Sequence, residues 1–296
     1  MASLVLSPIS PFPASYVTDH PTRVLVTGAG TPAAVAFMQS AADIDVELWA
    51  SDSNRYAAGL FLVPSARRVL LPPAKSPEDQ ERDSDGIAKA AKESGLRYAV
   101  HLSSYGAQLA KGAGPVSGLH SSEQKLNAID DLNVLHVRAA YFMENHLAAI
   151  GKIHKMGLFG NALAPDAKLP MVATRDVGNY AAQRLLDLDF SGKQTREVLG
   201  ERDLSMTETT AVIARRIGKP DLRYQQFPYD QVQQVLMQSG VPPKGAAMYI
   251  EMYKAINAGV LVALEPRSRE NTTPTSIERF VQDVFAPAYQ RKATSA

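Results

Sequence analysis

The sequence predicts an α/β protein: a mostly parallel sheet covered by helices on both faces, with a smaller, mostly helical C-terminal lobe. Three observations predict it. Short β-branched or apolar runs alternate with helical stretches through the first two thirds of the chain. The first of these runs closes on glycine and is followed by an apolar stretch, as in a strand–turn–helix unit. After about residue 200 the strand signal fades and helical patterns take over.

Residues 1–22 carry Pro8, Pro11, Pro13 and Pro21 among small residues, a composition that propagates neither a helix nor a central strand, so they read as a loosely attached arm. Arg23 to Thr27 (R-V-L-V-T) is the first strand, and the apolar stretch Pro32 to Ala42 has proline at its first helical position. Val46 to Ala50, Arg68 to Leu71, Tyr98 to Ser103 and Val134 to Arg138 are further strands. The segments between them include the helical stretches Pro77 to Ser94 and Leu119 to Ile129. Strands that alternate with helices in this way imply a parallel sheet buried on both faces. Helices are expected around Thr207 to Ile217, Tyr229 to Gln238, Pro243 to Asn257 and Thr275 to Val284. The division that follows is an arm at 1–22, an α/β domain at 23–200, and a helical lobe at 201–296 interleaved with part of 141–175.

Composition limits the function. Thirty-one Lys and Arg against thirty Asp and Glu leave a net charge of +1, which builds in neither a grip on nucleic acid nor attraction to an anionic membrane. The chain has no cysteine, which excludes disulfides, thiolate metal sites and cysteine nucleophiles. No His/Asp/Glu grouping has metal-ligand spacing, so no metal site is expected. No apolar run approaches the ~18 residues of a membrane helix, and no Lys or Arg precedes Arg23. The expected location is cytoplasmic.

In doubly wound sheets ligands bind at the carboxyl ends of the strands, where strand order reverses. The first such end is V-T-G-A-G-T-P-A-A, residues 26–34. Gly28 and Gly30, with Thr31 following, allow a tight turn and close backbone approach, and the next helix would aim free amides at a pyrophosphate. The same glycines equally suit a strand-to-helix turn that binds nothing, since the pattern ends in Ala33 or Ala34 where a further glycine is usual. Asp52, at the end of the second strand, is placed to take a ribose hydroxyl, and Arg55 to meet a 2′-phosphate. The fold expected is therefore Rossmann-like.

From about Val69 onward the sequence resembles the NmrA-like family of atypical short-chain dehydrogenases/reductases. The matching pieces are L-L-P-P-A at 70–74, I-A-K-A-A-K-E-S-G at 87–95, H-L-S-S-Y-G-A-Q at 101–108 and G-P-V-S-G-L-H-S-S-E-Q at 114–124. They continue with L-N-V-L-H-V-R-A-A-Y-F-M-E-N at 132–145, L-P-M-V-A-T-R-D-V-G at 169–178 and T-P-T-S-I-E-R-F at 273–280. The resemblance implies a Rossmann fold binding NADP, with NAD the other candidate. Members act as NAD(P)H-dependent reductases of quinone-like or other small compounds, or as regulators that sense the dinucleotide. The partners implied are a small-molecule substrate and, for the regulator, a protein; a homodimer is also compatible. Residues 22–68 resemble the N-terminal lobe of ATP-grasp ligases more than the family's usual opening, and no ATP-grasp catalytic domain follows. On these residues the chain reads as a hybrid whose first βαβ piece is atypical.

The resemblance also assigns candidate site residues. Pro72 and Ser103 fall at cofactor-lining strand ends, and Ser103 with Ser104 occupies the family's serine position. The Tyr-x-x-x-Lys pair that delivers a proton in classical reductases is replaced by His120 and Gln124. His120 is thus a candidate catalytic group or a structural helix residue. Tyr141 and Asn145 follow the strand ending at Arg138, where the resemblance places the floor of the nicotinamide and substrate pocket. Phe142 and Met143 read as core, Tyr105 as pocket rim, and Asp176 as a helix cap. A side chain at Gly28 would hold the backbone away from a pyrophosphate. Gly28→Val is therefore expected to abolish NADPH binding in a calorimetric titration while the circular dichroism spectrum is kept; unchanged affinity in a folded variant would move the site elsewhere.

Overall fold

The computed structural model of the chain describes residues 23–27, 47–51, 61–62, 77–93 and 96–294. The expected N-terminal arm at 1–22, the apolar stretch at 32–42 and the expected strand at 68–71 lie outside them.

The main sheet has six strands: β1 (Arg23–Thr27), β2 (Glu47–Ser51), β3 (Phe61–Leu62), β4 (Tyr98–Ser104), β5 (Asn133–Ala139) and β9 (Lys193–Val198). Their order is β2-β1-β3-β4-β5-β9 and every pairing is parallel. The chain leaves β1 toward β2 on one side and returns to β3 on the other, so the strand order reverses between β1 and β3, the place where doubly wound sheets take ligands.

Helices α1 (Pro77–Glu93) and α2 (Pro115–Asn127) cover one face of the sheet, and α4 (Thr174–Asp187) covers the other. Beneath α1 and α2, Ile87, Ala91 and Leu126 pack on Ala99 and Val134. Beneath α4, Val177, Ala181 and Leu185 pack on Val100, Leu102, Leu135 and Val137. These two periodicities, alternate residues of a strand and a helical stripe, are what the alternating sequence pattern records. The start of α2 depends on Gly114 (φ +59°): a Cβ there would sit 2.0 Å from the Met248 carbonyl oxygen, so the helix that carries Met248 can approach only a glycine.

Between β5 and α4 the chain makes a detour through β6 (Tyr141–Phe142), a 3₁₀ segment (Met143–Ala149), α3 (Ile150–Met156), β7 (Phe159–Asn161) and β8 (Leu169–Val172). After β9 come β10 (Asp203–Leu204), α5 (Met206–Arg216), β11 (Tyr224–Gln226), α6 (Tyr229–Gln238) and α7 (Pro243–Asn257). A last helical run, α8 (Ile277–Phe280), a π-helical turn (Val281–Phe285) and α9 (Ala286–Thr294), packs back on α3 and α5. Two small sheets, β10-β8-β6 and β11-β7, stitch the detour to the C-terminal part.

The face of the sheet under α2 changes character along the strands. At the amino end it is apolar; then comes the row His101, His136, Thr195, and at the carboxyl end the row Ser103, Arg138, Glu197, each set directly opposed in register. The His136 Nε2 faces the Asn127 Oδ1 at 2.9 Å and so carries the proton. His101 Nδ1 must then donate to the bare His136 Nδ1 at 3.0 Å, and Ser122 Oγ donates to His101 Nε2 at 3.3 Å. This chain of hydrogen bonds needs both rings neutral. Burial, followed by the neighbouring ring, holds His101 well below its ordinary pKa, and burial pushes His136 down to about 4. His146, buried between Tyr141 and Phe159, is likewise pushed down to about 4.

Such groups stay uncharged in the folded chain while the unfolded chain takes up protons as pH falls below about 6.5. Stability is therefore expected to fall on acidification from pH 6.5 toward 4, by about 1.4 kcal/mol per pH unit for each such histidine. Urea unfolding at pH 7, 6 and 5 checks this, and His136→Asn should flatten the slope by one group's share whatever its absolute stability.

Candidate functional site

At the carboxyl end of β4 and β5 the sequence places a charged residue, Arg138, at the end of an apolar strand, and α2 brings Glu123 over it. The Glu123 carboxylate is 2% exposed. It accepts from Arg138 Nε at 3.0 Å and Nη2 at 2.7 Å, a bidentate pair, and Ser103 Oγ donates to its Oε1 at 2.6 Å. Three hydrogen bonds, two of them from the ionised Arg138, make the burial of this charge tolerable. Arg138 Nη1 reaches the Gln108 amide oxygen at 3.4 Å.

The pair decides what Ser103 can do. Its proton is committed to Glu123, so toward a ligand its oxygen only accepts. Gln124, at the family's lysine position, is exposed on α2. His120 is half-buried and its Nδ1 donates to the Ala107 carbonyl at 2.9 Å, leaving Nε2 of the neutral ring as an acceptor.

Tyr141 and Asn145 are brought together, the Asn145 amide meeting the Tyr141 hydroxyl. Burial, and after it the nearby Tyr253, Tyr224 and Tyr105, push the Tyr141 pKa well up, so this hydroxyl is a donor and a weak acid. Asn145 itself is exposed. Tyr105 is 5% exposed, and its hydroxyl, pushed up by burial, has no hydrogen-bond partner among the described residues. Met143 is core, and Phe142 packs partly against the α4 face. The proposed cofactor residues Gly28, Gly30, Thr31, Asp52, Arg55 and Pro72 lie outside the described residues.

Asp176 differs from the expectation. It does not cap α4, whose N-cap is Ala173 with no side-chain bond. Its carboxylate instead accepts from the Thr275 backbone N–H at 3.0 Å and Oγ1 at 2.8 Å. The N-terminal Thr174 is held by Glu144, which accepts from its N–H at 3.1 Å and Oγ1 at 2.7 Å.

A cavity of about 410 Å³ lies beside this end of the sheet. Tyr105, Leu169, Leu199, Leu261, Val262 and Ala263 are among the residues that line it. Among the described residues, no group of three or more His, Cys, Asp and Glu could hold a metal ion, and no helix is long and apolar enough to cross a membrane.

With the sheet and its polar carboxyl edge established, the comparison with known sequences is decisive: residues 12–278 match the NmrA-like family. The chain belongs to the NmrA-like family. The match runs through residues 22–68, so it takes in the atypical first piece as well. A search of the curated proteins finds no match. Among solved structures, the NADPH-dependent quinone oxidoreductase of Escherichia coli, complexed with NADPH, has a TM-score of 0.68 at 18% identity over 88% of this chain and 99% of that one. The triphenylmethane reductase of a Citrobacter species, complexed with NADP(H), has a TM-score of 0.63 at 13% identity, covering 90% and 99%. NmrA, a negative transcriptional regulator in complex with NAD, has a TM-score of 0.58 at 14% identity, covering 92% and 97%. At these identities the likeness is one of fold, and it establishes the Rossmann-like architecture of this NmrA-like chain.

Sequence reasoning alone did not single out Glu123, Gln108 or Glu197. A signal for Glu123 existed: Ser122 and Glu123 precede Leu126 and Asn127 by four, which puts the acid on the stripe that faces the sheet. Because Arg138 is 12% exposed at its side chain, its removal would strand a buried carboxylate. Arg138→Met is expected to lower unfolding free energy by about 3–5 kcal/mol, and Glu123→Met added to it should recover most of the loss in denaturant titrations.

Proposed function

We propose that this NmrA-like chain is an NAD(P)H-dependent oxidoreductase that reduces a small conjugated acceptor such as a quinone, with NADPH preferred. The observation that carries this reading is the commitment of Ser103 to Glu123 and of Glu123 to Arg138. A simple ketone needs a proton delivered to its developing alkoxide, and the serine, tyrosine and lysine that would manage this are engaged or replaced. A quinone spreads the negative charge over its conjugated system and takes its protons from solvent, so it needs orientation more than acid catalysis.

Two features of the chain fit a dinucleotide. The strand order reverses between β1 and β3, where doubly wound sheets take ligands, and the buried Glu123 beside that carboxyl edge is paired with Arg138. Gly28, Gly30 and Thr31 would hold the pyrophosphate, Asp52 and Arg55 the adenosine ribose and its 2′-phosphate, and Pro72 the adenine side. Ser103, donating to Glu123, would accept from an amide or hydroxyl of the nicotinamide half. The bound group supplies a hydride from C4 of its ring. In this reading Tyr141 and Asn145 orient the acceptor, with the Tyr141 hydroxyl as a hydrogen-bond donor, and His120 offers Nε2 as an acceptor or, once protonated, a proton.

The same lack of an uncommitted acid favours a second reading, a non-catalytic dinucleotide sensor that signals to a protein partner. The two part on turnover. The reductase reading predicts NADPH oxidation with benzoquinones and naphthoquinones and almost none with cyclohexanone. His120→Ala should slow it by no more than the roughly 10²–10⁴-fold of a general acid, and Asn145→Ala should mainly raise KM. Dinucleotide binding without oxidation across the whole panel would leave the sensor, and efficient reduction of cyclohexanone would sink the argument from the missing pair.

A further inference from the structure

Residues 259–267 form a strap along the 410 Å³ cavity, which Gly259, Leu261, Val262, Ala263, Glu265 and Arg267 line. Its sequence alternates, with Val260, Val262 and Leu264 exposed and Leu261 buried. Leu261 lies against Gly106, whose missing Cβ leaves it room: a Cβ would stand 2.6 Å from Leu261 Cγ. Ala263 also packs on the core, and beyond these two residues the strap is held by polar contacts to the end of β9. Glu197 Oε2 accepts from the backbone N–H of Leu264 and of Glu265, each at 2.7 Å. In return Glu265 Oε1 accepts from the Glu197 N–H at 3.0 Å. Gln108 Nε2 donates to the Val262 carbonyl at 3.4 Å, and the same amide's oxygen receives Arg138.

Two further details bear on this strap. Gly259 (φ +65°) ends α7 in a closed turn, its N–H donating to the Ile256 carbonyl at 3.0 Å and those of Val260 and Leu261 to Ala255 at 2.9 and 3.1 Å, so the strap leaves the helix at a fixed point. The second oxygen of Glu197, buried in a residue 1% exposed, has no hydrogen-bond partner among the described residues, although Arg138 stands directly opposite in register. A buried, half-satisfied carboxylate is costly to keep and is seldom left without a purpose.

We infer that the strap is a cover over the cavity held shut by the Glu197 carboxylate, and that the cavity admits a neutral, planar, largely apolar acceptor. The inference deepens the reductase reading and rests on it only in naming the ligand an acceptor. Arg138 and Gln108 link the latch to the carboxyl edge of β4 and β5, so the cover and that edge share one polar network. The apolar lining residues Leu169, Leu199 and Leu261 fit a ring system, and the charged lining residues are paired, Arg267 with Asp203, Glu265 with Arg196 and Lys168 with Glu208, which favours a neutral ligand.

Amide hydrogen exchange of the full chain, without cofactor, reads the latch directly. Glu197→Ala is expected to speed exchange in peptides covering 258–267 at least tenfold, with Glu197→Gln between it and the parent, and with β4 and β5 unchanged. Unchanged exchange in the strap overturns the latch, and so does equal acceleration in β5, which would make Glu197 a residue of the sheet's stability. Added 2-methyl-1,4-naphthoquinone should slow exchange of the same peptides several-fold in the parent; no slowing overturns the acceptor cavity. Slowing by the quinone with no NADPH oxidation would instead remove the reductase reading and leave the cover standing.

Discussion

The bidentate pair of Arg138 and Glu123 is the interaction on which the functional end of this molecule depends. An isolated charge under a helix would be prohibitively costly, and an ion pair there is tolerable only with near-ideal geometry and further hydrogen bonds. Those conditions fix a great deal. They set the height and rotation of α2 over the sheet, because its carboxylate must meet both Nε and Nη2 of one guanidinium. They take the Ser103 proton. They also leave the guanidinium's remaining nitrogen for Gln108, through which the sheet edge touches the strap.

Buried carboxylates do similar work elsewhere, and they explain why distant stretches of sequence carry the family resemblance. Glu144, in F-M-E-N, grips the first residue of α4 in A-T-R-D-V-G, and Asp176 of that same stretch grips Thr275 in T-P-T-S-I. Ser276 then caps α8 by accepting from the Arg279 N–H. Three segments far apart in the chain are thereby joined by two acids. Each acid is buried and bonded to a backbone amide, a role in which Asn or Gln would supply a weaker acceptor.

The alternation of strands and helices was legible because both faces of β4 and β5 are buried and their helices carry clear apolar stripes. Helices α6 and α7 have the bounds read from the sequence, Tyr229–Gln238 and Pro243–Asn257, since Pro228, Pro242 and Pro243 mark their starts. Strand β9 escaped notice because K-Q-T-R-E-V lies at the sheet's edge and buries only its last two residues, so its pattern is polar. Strands β6, β7, β8, β10 and β11 are two to four residues long, too short to show a period. Asp176 misled for a physical reason: an acid in a helix's first turn is favoured by the dipole whether or not it caps, and only the fold reveals that its hydrogen bonds go to residue 275. The pairing of Glu123 with Arg138 was hidden likewise, since nothing local to either residue names its partner.

The direction of a few protons separates this carboxyl edge from that of a carbonyl reductase. A site that delivers a proton needs a hydroxyl whose hydrogen is free and whose pKa is drawn down by a nearby cation. Here the cation, Arg138, is spent on Glu123, and burial drives Tyr105 and Tyr141 the other way, toward holding their protons. What the edge retains is a set of fixed donors and acceptors: Ser103 accepting, Tyr141 donating, His120 Nε2 accepting. In the proposed function such a set would serve to orient a bound molecule more than to deliver a proton to it. That constraint is common to a quinone reductase, whose acceptor gathers protons from water, and to a sensor that only holds its dinucleotide, and it is incompatible with the acid-assisted reduction of a plain ketone.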